Sequence, residues 1–305
     1  MPDEKSIVSV SCVIPTHLRA QFLVESLGSA ARQTLPPAEI IVVSDVDDPE
    51  TAAVCKRFAA QSEIPLRVEV NTTGPGGASS SRNRGAQLAS GEMLAFLDDD
   101  DTWEPTFLEK SVAVLEQSGS GIAVAWISMF TNDKVKLGPA IVAGLSAPDV
   151  VAINPGVTGT NMVVRRSAFE SIGGFDDALR MKNDTDFFYR FLKSGGRYAV
   201  VEERLANQRK HDAGQLTGHS LARAVHTEAY MRKHQSDLRR GDVKHMKFVI
   251  HRIKSHAAAT RRQRLAHKLG AALNYTYKQY VQDRRNRRDR QFFDVPSSSR
   301  PGDHG

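Results

Sequence analysis

Cysteine is almost missing from this chain: there are two in 305 residues, Cys12 and Cys55. That excludes a disulfide framework and a cysteine-built metal cluster, and leaves both thiols as small hydrophobes of the core. Long hydrophobic runs are missing too. No apolar stretch approaches the roughly 20 residues that a helix needs to cross a bilayer. The N-terminal MPDEKSIVSVSCVIP has acidic residues and a strand-like run where a signal peptide has a basic segment and an apolar core, so a cytoplasmic location is expected. Aromatic residues make up only 7% of the chain and are sparsely interleaved with its basic residues, unlike a single-strand nucleic-acid groove.

What is present is an ordinary globular composition, 40% hydrophobic and 25% charged, long enough for one large α/β domain with a helical appendage. The net charge of +6 is unevenly spread. Acidic residues gather at the strand ends of the first half, whereas lysine and arginine crowd the region after Arg204.

The first half alternates strand and helix with little slack. Strands are expected at 8–14, 39–44, 66–71 and 93–97, with helices at 20–33, 49–61 and 79–89. Near-continuous apolar strands in such βαβ alternation predict a mostly parallel sheet covered on both faces by helices. Residues 132–156, rich in Gly, Pro and Ala, predict a long loop. A strand at 159–164, a short helix at 166–172 and a helix at 184–193 follow. From His219 the pattern is helical, with a break at Gly241. The expected division is a catalytic core at 1–217, a basic helical extension at 218–291 and a disordered tail at 292–305.

The richest stretch is GEMLAFLDDDDTWEP, in which an apolar strand runs into four consecutive aspartates, Asp98 to Asp101. Like charges packed this closely resist ionisation unless a cation sits among them. Mg²⁺-type ions take carboxylate oxygens together with substrate phosphates, and ligands of open α/β sheets bind at the carboxyl ends of strands. The alternative is a solvated acidic loop that caps the helix starting near Pro105. Asp45, Asp47 and Asp48 follow the second predicted strand, where an aspartate can accept from a nucleotide base or ribose; turn chemistry into the next helix is the other reading.

GPGGAS at 74–79 matches a dinucleotide fingerprint poorly, having Ser79 at the third glycine position. Its turn still offers N–H groups to an anion. Ser79, Ser80 and Ser81 read equally well as helix caps, and one of Arg82 and Arg84 is expected to be functional. In Asn183-Asp184-Thr185-Asp186, helical spacing places Asp184 on the face of Phe187, Phe188 and Phe191. Asp186 falls on the face of Tyr189, Arg190 and Lys193, an outer face where it would pair with Arg190. A carboxylate on the apolar side is costly unless it is paired or does work, so Asp184 is the better general-base candidate, with helix capping as the alternative. His211 follows a predicted strand; a lone histidine is more often structural than a ligand, and it joins Asp98 and Asp100 only as a third candidate metal ligand.

Three stretches carry a resemblance: VSCVIPTHLRAQFLVESLGSAARQTLPPAEIIVVSD, GGASSSRNRGAQLASGEMLAFLDDDDTWEP and GTNMVVRRSAFESIGGFDDALRMKNDTDFFYRF. In this order they resemble the family-2 type of inverting nucleotide-sugar glycosyltransferase with the GT-A fold. The resemblance implies that Asp98, Asp99 and Asp100 hold the diphosphate and a divalent Mn or Mg ion, with Asp100 the direct ligand. It further implies that Pro15, Thr16, Asp45 and Arg82 bind the donor, and that Asp184 is the base of a single displacement. Asn183 departs from the family's usual glutamate, and Ser44 from a frequent second aspartate. The implied donor is a nucleotide-sugar, a UDP-sugar favoured; the acceptor is a small molecule, glycan or peptide.

Two other functions compete with this reading. A sugar-nucleotide nucleotidyltransferase would carry a glycine-rich, basic loop after the first strand, where this chain has PTHLRA. A non-catalytic nucleic-acid-binding protein would use the basic run at 284–290 and the pI near 9.3, but no recognised binding motif is present, so no nucleic-acid partner is expected. The C-terminal helices leave a peripheral membrane contact or a homo-oligomer open.

Overall fold

The computed structural model describes residues 8–72, 75–131, 134–210, 221–277, 279–280 and 293–294. The first strand, β1 (Val10–Thr16), lies between β2 (Glu39–Ser44) and β4 (Met93–Phe96), parallel to both, and β3 (Leu66–Val70) continues the parallel row beyond β2. The connecting helices are α1 (Ala20–Ala31), α2 (Pro49–Gln61) and α3 (Ala78–Leu88). Val13 stands opposite both Ile41 and Phe96, so the carboxyl ends of β2, β1 and β4 emerge side by side. Asp48 starts α2, accepting from the backbone N–H of Glu50 and Thr51 at 3.2 Å each.

Beyond β4 the sheet is mixed, and here the expectation of a mostly parallel sheet gives way. Strand β8 (Met162–Arg165) pairs antiparallel with β4 and with β6 (Ile122–Phe130). The long β9 (Tyr198–Arg209) runs parallel to β6 and antiparallel to β5 (Thr102–Trp103). The expected loop at 132–156 contains β7 (Lys134–Leu137), which forms a hairpin with β6, and one turn of helix, α5 (Ala147–Val150). Helix α4 (Phe107–Ser118) precedes β6; α6 (Arg166–Ser171) and α7 (Asn183–Lys193) lie between β8 and β9.

Two apolar layers sandwich the sheet. Cys12 and Ile14 face one with Leu23, Leu27, Cys55 and Phe107, while Val13 faces the other with Phe96, Phe175, Phe187 and Tyr230. This is the period-two alternation of a strand buried on both sides. Both cysteines are buried and free. Helix α3 presses so close to β1 that a Cβ on Gly85 would stand 2.3 Å from Val13 Cγ1. Gly85→Ala should therefore cost about 1–3 kcal/mol through overpacking, read as a lower denaturation midpoint with the slope unchanged.

The C-terminal helices are α8 (Leu221–Lys233), α9 (Arg240–Ala257) and α10 (Arg261–Leu273). Gly241 breaks nothing. It sits in the first turn of α9, and the chain turns earlier, through a 3₁₀ turn at Gln235–Asp237. Phe293–Asp294, inside the expected tail, pair antiparallel with β7 as β10. No helix among the described residues is long and apolar enough to cross a membrane.

Candidate active site

The loop after β1, the residue after β2, the aspartate run after β4 and the first turn of α7 meet at one edge of the sheet. The run turns back on itself, Asp101 N–H donating to the Asp98 carbonyl at 3.1 Å. Ser26 of α1 braces the turn, its hydroxyl 2.8 Å from the carbonyls of Asp99 and Asp101. The four carboxylates then separate into different tasks.

Asp101 is structural. It is buried, accepting from Thr160 Oγ1 at 2.6 Å and from the Arg209 N–H at the end of β9 at 2.9 Å. Burial, with Asp100 and Asp98 nearby, pushes its carboxyl well above the usual range. Asp99 accepts from Thr16 Oγ1 at 2.8 Å and the His17 N–H at 3.3 Å. Burial raises it to about 6 against the pull of Arg19. Asp100 pairs with Arg19 Nη1 at 2.8 Å, and Asp98 with the guanidinium of Arg82. Arg19 also lies 3.4 Å from Asp99, so one guanidinium serves two carboxylates.

Arg82 is the hub of the site. Its side chain is buried, lies over the Phe175 ring at 5.3 Å and has Asp98 on one side and Asp184 on the other, Nη1 to Oδ1 3.5 Å. Burial alone would lower its pKa, but the two carboxylates raise it further. Gly159 makes room, since a Cβ there would meet Arg82 Nη2 at 2.4 Å. Nε and Nη1 of Arg82 and Oδ1 of Asp184 are buried without a hydrogen-bond partner among the described residues. Asp184 keeps 22% of its side chain exposed, and burial raises its carboxyl to about 6, opposed by Arg82 and reinforced by Asp98. It does not cap its helix; its own N–H donates to Asn183 Oδ1 at 2.9 Å.

Asp45 holds the glycine loop, accepting from the Gly77 N–H at 2.9 Å, and lies 2.5 Å from His17 Nδ1. The anion met by that loop is thus Asp45. Pro15 lies in β1 opposite Val43, next to Thr16. Ser79, Ser80 and Ser81 are not caps: they lie buried within α3, and Ser79 accepts from Asn183 Nδ2 at 3.0 Å. Of the two arginines Arg82 lies among the strand-end carboxylates, whereas Arg84 pairs with Glu69 on β3 at 2.5 Å. His211 lies outside the described residues.

Asp186 is the clear correction. The expected outer face of α7 is covered by the C-terminal extension, and Asp186 is completely buried. Besides Arg190 Nε at 2.7 Å, it meets Lys233 Nζ at 2.6 Å and His234 Nε2 at 2.7 Å. Sequence reasoning also missed Arg19 and His17, which no spacing marks. The two non-glycine residues with positive φ among the described residues, Leu18 (52°) and Lys182 (60°), flank the site directly. Strain of this kind gathers where a functional loop is held by its surroundings.

The sequence profile of glycosyl transferase family 2 matches residues 11–173, more than half of the chain. The protein belongs to glycosyl transferase family 2. Among its relatives, the uncharacterised glycosyltransferase YwdF of Bacillus subtilis is 29% identical over 189 residues, 61% of this chain and 69% of that one. The glucosyl-dolichyl phosphate glucuronosyltransferase of Haloferax volcanii is 27% identical over 189 residues, 58% of this chain and 59% of its own. The fold resembles that of the mannosyltransferase PcManGT from Pyrobaculum calidifontis in complex with GDP-Man and Mn²⁺. That match has a TM-score of 0.61 and 18% identity, over 94% of this chain and 82% of the other. S. aureus TarS 1–349 in complex with UDP-GlcNAc matches with a TM-score of 0.58 and 15% identity, over 96% and 98%. The fold is therefore GT-A, and the enzyme is a glycosyltransferase, which sets aside the nucleotidyltransferase and nucleic-acid readings.

Proposed function

We propose that the enzyme moves a sugar from a nucleotide-diphosphate sugar, a UDP-sugar favoured, to an acceptor hydroxyl with inversion, and that a divalent cation assists. The observation that carries this reading is the Asp184 carboxylate, 22% exposed at this edge and held from behind by Arg82, Nη1 to Oδ1 3.5 Å. With Oδ1 buried against the arginine, the accessible part of the carboxylate is left to accept from a substrate hydroxyl.

The chain's own residues divide the work. Asp184 takes the proton from the acceptor hydroxyl as its oxygen attacks the anomeric carbon. Arg82 holds Asp184 and Asp98 in register and places positive charge between them. Asp45, fixed by Gly77 and His17, presents its remaining lone pairs to the nucleoside, and Thr16 keeps Asp99 oriented.

The residues present fit a cation of the Mg²⁺ or Mn²⁺ kind. No group of three ligating side chains occurs among the described residues, so an all-protein cage is absent there. Asp100 and Asp98 instead offer one or two carboxylates, the arrangement in which such ions complete their shell with phosphate oxygens and water. Arg19 stands in for part of that positive charge, bridging Asp99 and Asp100. When bound, the ion supplies Lewis-acid neutralisation of charge on the departing diphosphate.

Calorimetric titration of UDP tests this reading. With Mn²⁺ present, Asp100→Ala should weaken binding by about tenfold or more, close to 1.4 kcal/mol, and change little in its absence. Equal affinity with and without metal in the unaltered enzyme would remove the cation from the proposal.

A further inference from the structure

The positive charge of this protein is concentrated in one place. Residues 240–280 hold ten lysines and arginines against one acidic residue, Asp242, which exceeds the +6 of the whole chain and leaves the remainder net negative. Within that segment α10 has no acidic residue at all. Its inner face packs on α9 through His267, Gly270 and Ala271: His267 Nδ1 lies 3.2 Å from His251 Nδ1, and a Cβ on Gly270 would meet the His251 ring at 2.6 Å.

The opposite face bears Leu265, Leu269 and Leu273, spaced four residues apart and 60%, 58% and 82% exposed. This four-residue spacing lays them in one row along the helix. Arg261, Arg264 and Lys268 run along one side of the row, and Arg262 lies at its N-terminal end. None of these four cations has a carboxylate partner among the described residues. Burying such a row against a second copy of itself would bring like charges together along both flanks. A nucleic-acid backbone would match the cations but leave the leucines in water. A membrane surface of anionic lipid satisfies both, with leucines at the acyl boundary and cations among the phosphates.

We propose that the outer face of α10 docks this enzyme on anionic lipid bilayers as a peripheral membrane protein, lying in the plane of the interface. This docking does not depend on which sugar or acceptor the active site uses, so the two can fail separately.

Co-sedimentation of the full chain with vesicles tests it. The chain should pellet with phosphatidylcholine vesicles containing about one third phosphatidylglycerol, not with phosphatidylcholine alone, and should be released as salt rises. Leu269→Glu with Leu273→Glu should lower partitioning by about tenfold or more. Arg264→Glu with Lys268→Glu should do the same while keeping the leucines. Because these side chains are exposed, circular-dichroism melting and UDP binding should match the unaltered enzyme, which separates lost docking from lost folding. Failure to bind the anionic vesicles would overturn the proposal, as would binding indifferent to both variants. A dimer in solution that the leucine variant converts to monomer would assign the face to a second copy and overturn it equally.

Discussion

Replacing Asp184 with asparagine should slow glycosyl transfer by roughly two to four orders of magnitude, the usual contribution of a general base, while leaving donor binding nearly intact. A group that acts on the acceptor proton contributes in the transition state and not to donor affinity. The structure adds a pH signature. Burial raises the Asp184 carboxyl to about 6, and only its ionised form is a base, so kcat/KM should fall about tenfold per pH unit below that value. The stability sign runs the other way. A carboxyl whose folded-state pKa lies above its ordinary 3.8 binds more protons folded than unfolded between about 4 and 6. Stability therefore falls as pH rises through that window, and the ionised group remains a cost above it. The asparagine variant should consequently melt at the same temperature or higher near neutral pH, with Arg82 still paired to Asp98. Stopped-assay rates, UDP titration and thermal melting on one preparation decide the matter. A variant that transfers normally, or that loses donor affinity in step with rate, rules out the assignment.

The parallel half of the fold was legible because local signals and tertiary structure agree there. Strands buried on both faces read as apolar runs, and Pro49 after Asp48 starts α2 where expected, so β2 and α2 match the expected bounds residue for residue. Residues 132–156 were opaque for the opposite reason. β7 is a four-residue strand whose KVKL pattern is short and half polar, and α5 is one turn. The turn's Ser146–Asp149 capping pair, 2.6 Å from hydroxyl to carboxylate, was a visible signal that went unread. At the site, strand-end position singled out Asp45 and Asp98, and helical spacing singled out Asp184; the fold brings all three to one edge. What no pattern displayed was the counter-charge: Arg19 reaches Asp100 across 81 positions, and Gly159 yields space to Arg82 from a separate turn. The roles within the aspartate run were hidden for the same reason, since Thr160 and the end of β9 make Asp101 structural.

Asp186 shows how far a helical wheel carries without knowing what lies over it, and it yields the largest expected loss of stability. Spacing correctly pairs it with Arg190, but the face it occupies is outer only until α8 arrives. Lys233 and His234 then close on the same carboxylate, and Tyr230 beside them anchors α8 by donating its hydroxyl to the Val151 carbonyl at 2.8 Å. Burial pushes the Asp186 carboxyl up, but hydrogen bonds from His234, Lys233 and Arg190 outweigh it and bring it down to about 2. Asp186→Ala strands three donors around a buried space and should cost about 3–5 kcal/mol, a shift on the order of 10 °C in melting for a chain of this size. The exposed Lys193–Asp237 pair is the internal control, and Lys193→Ala should cost less than about 1 kcal/mol. Because the folded pKa of Asp186 lies below its ordinary 3.8, its contribution is present above that value and lost as pH falls toward about 2. Acid titration of Asp186→Asn should therefore show a lower plateau at neutral pH that converges with the unaltered enzyme in acid. At temperatures where both are folded, Asp186→Asn should retain far more transfer activity than Asp184→Asn, since Asp186 is buried against α8 and Asp184 lies beside Arg82 at the proposed site. An Asp186→Ala protein as stable as Lys193→Ala would mean that the extension is not held to the catalytic helix by this carboxylate.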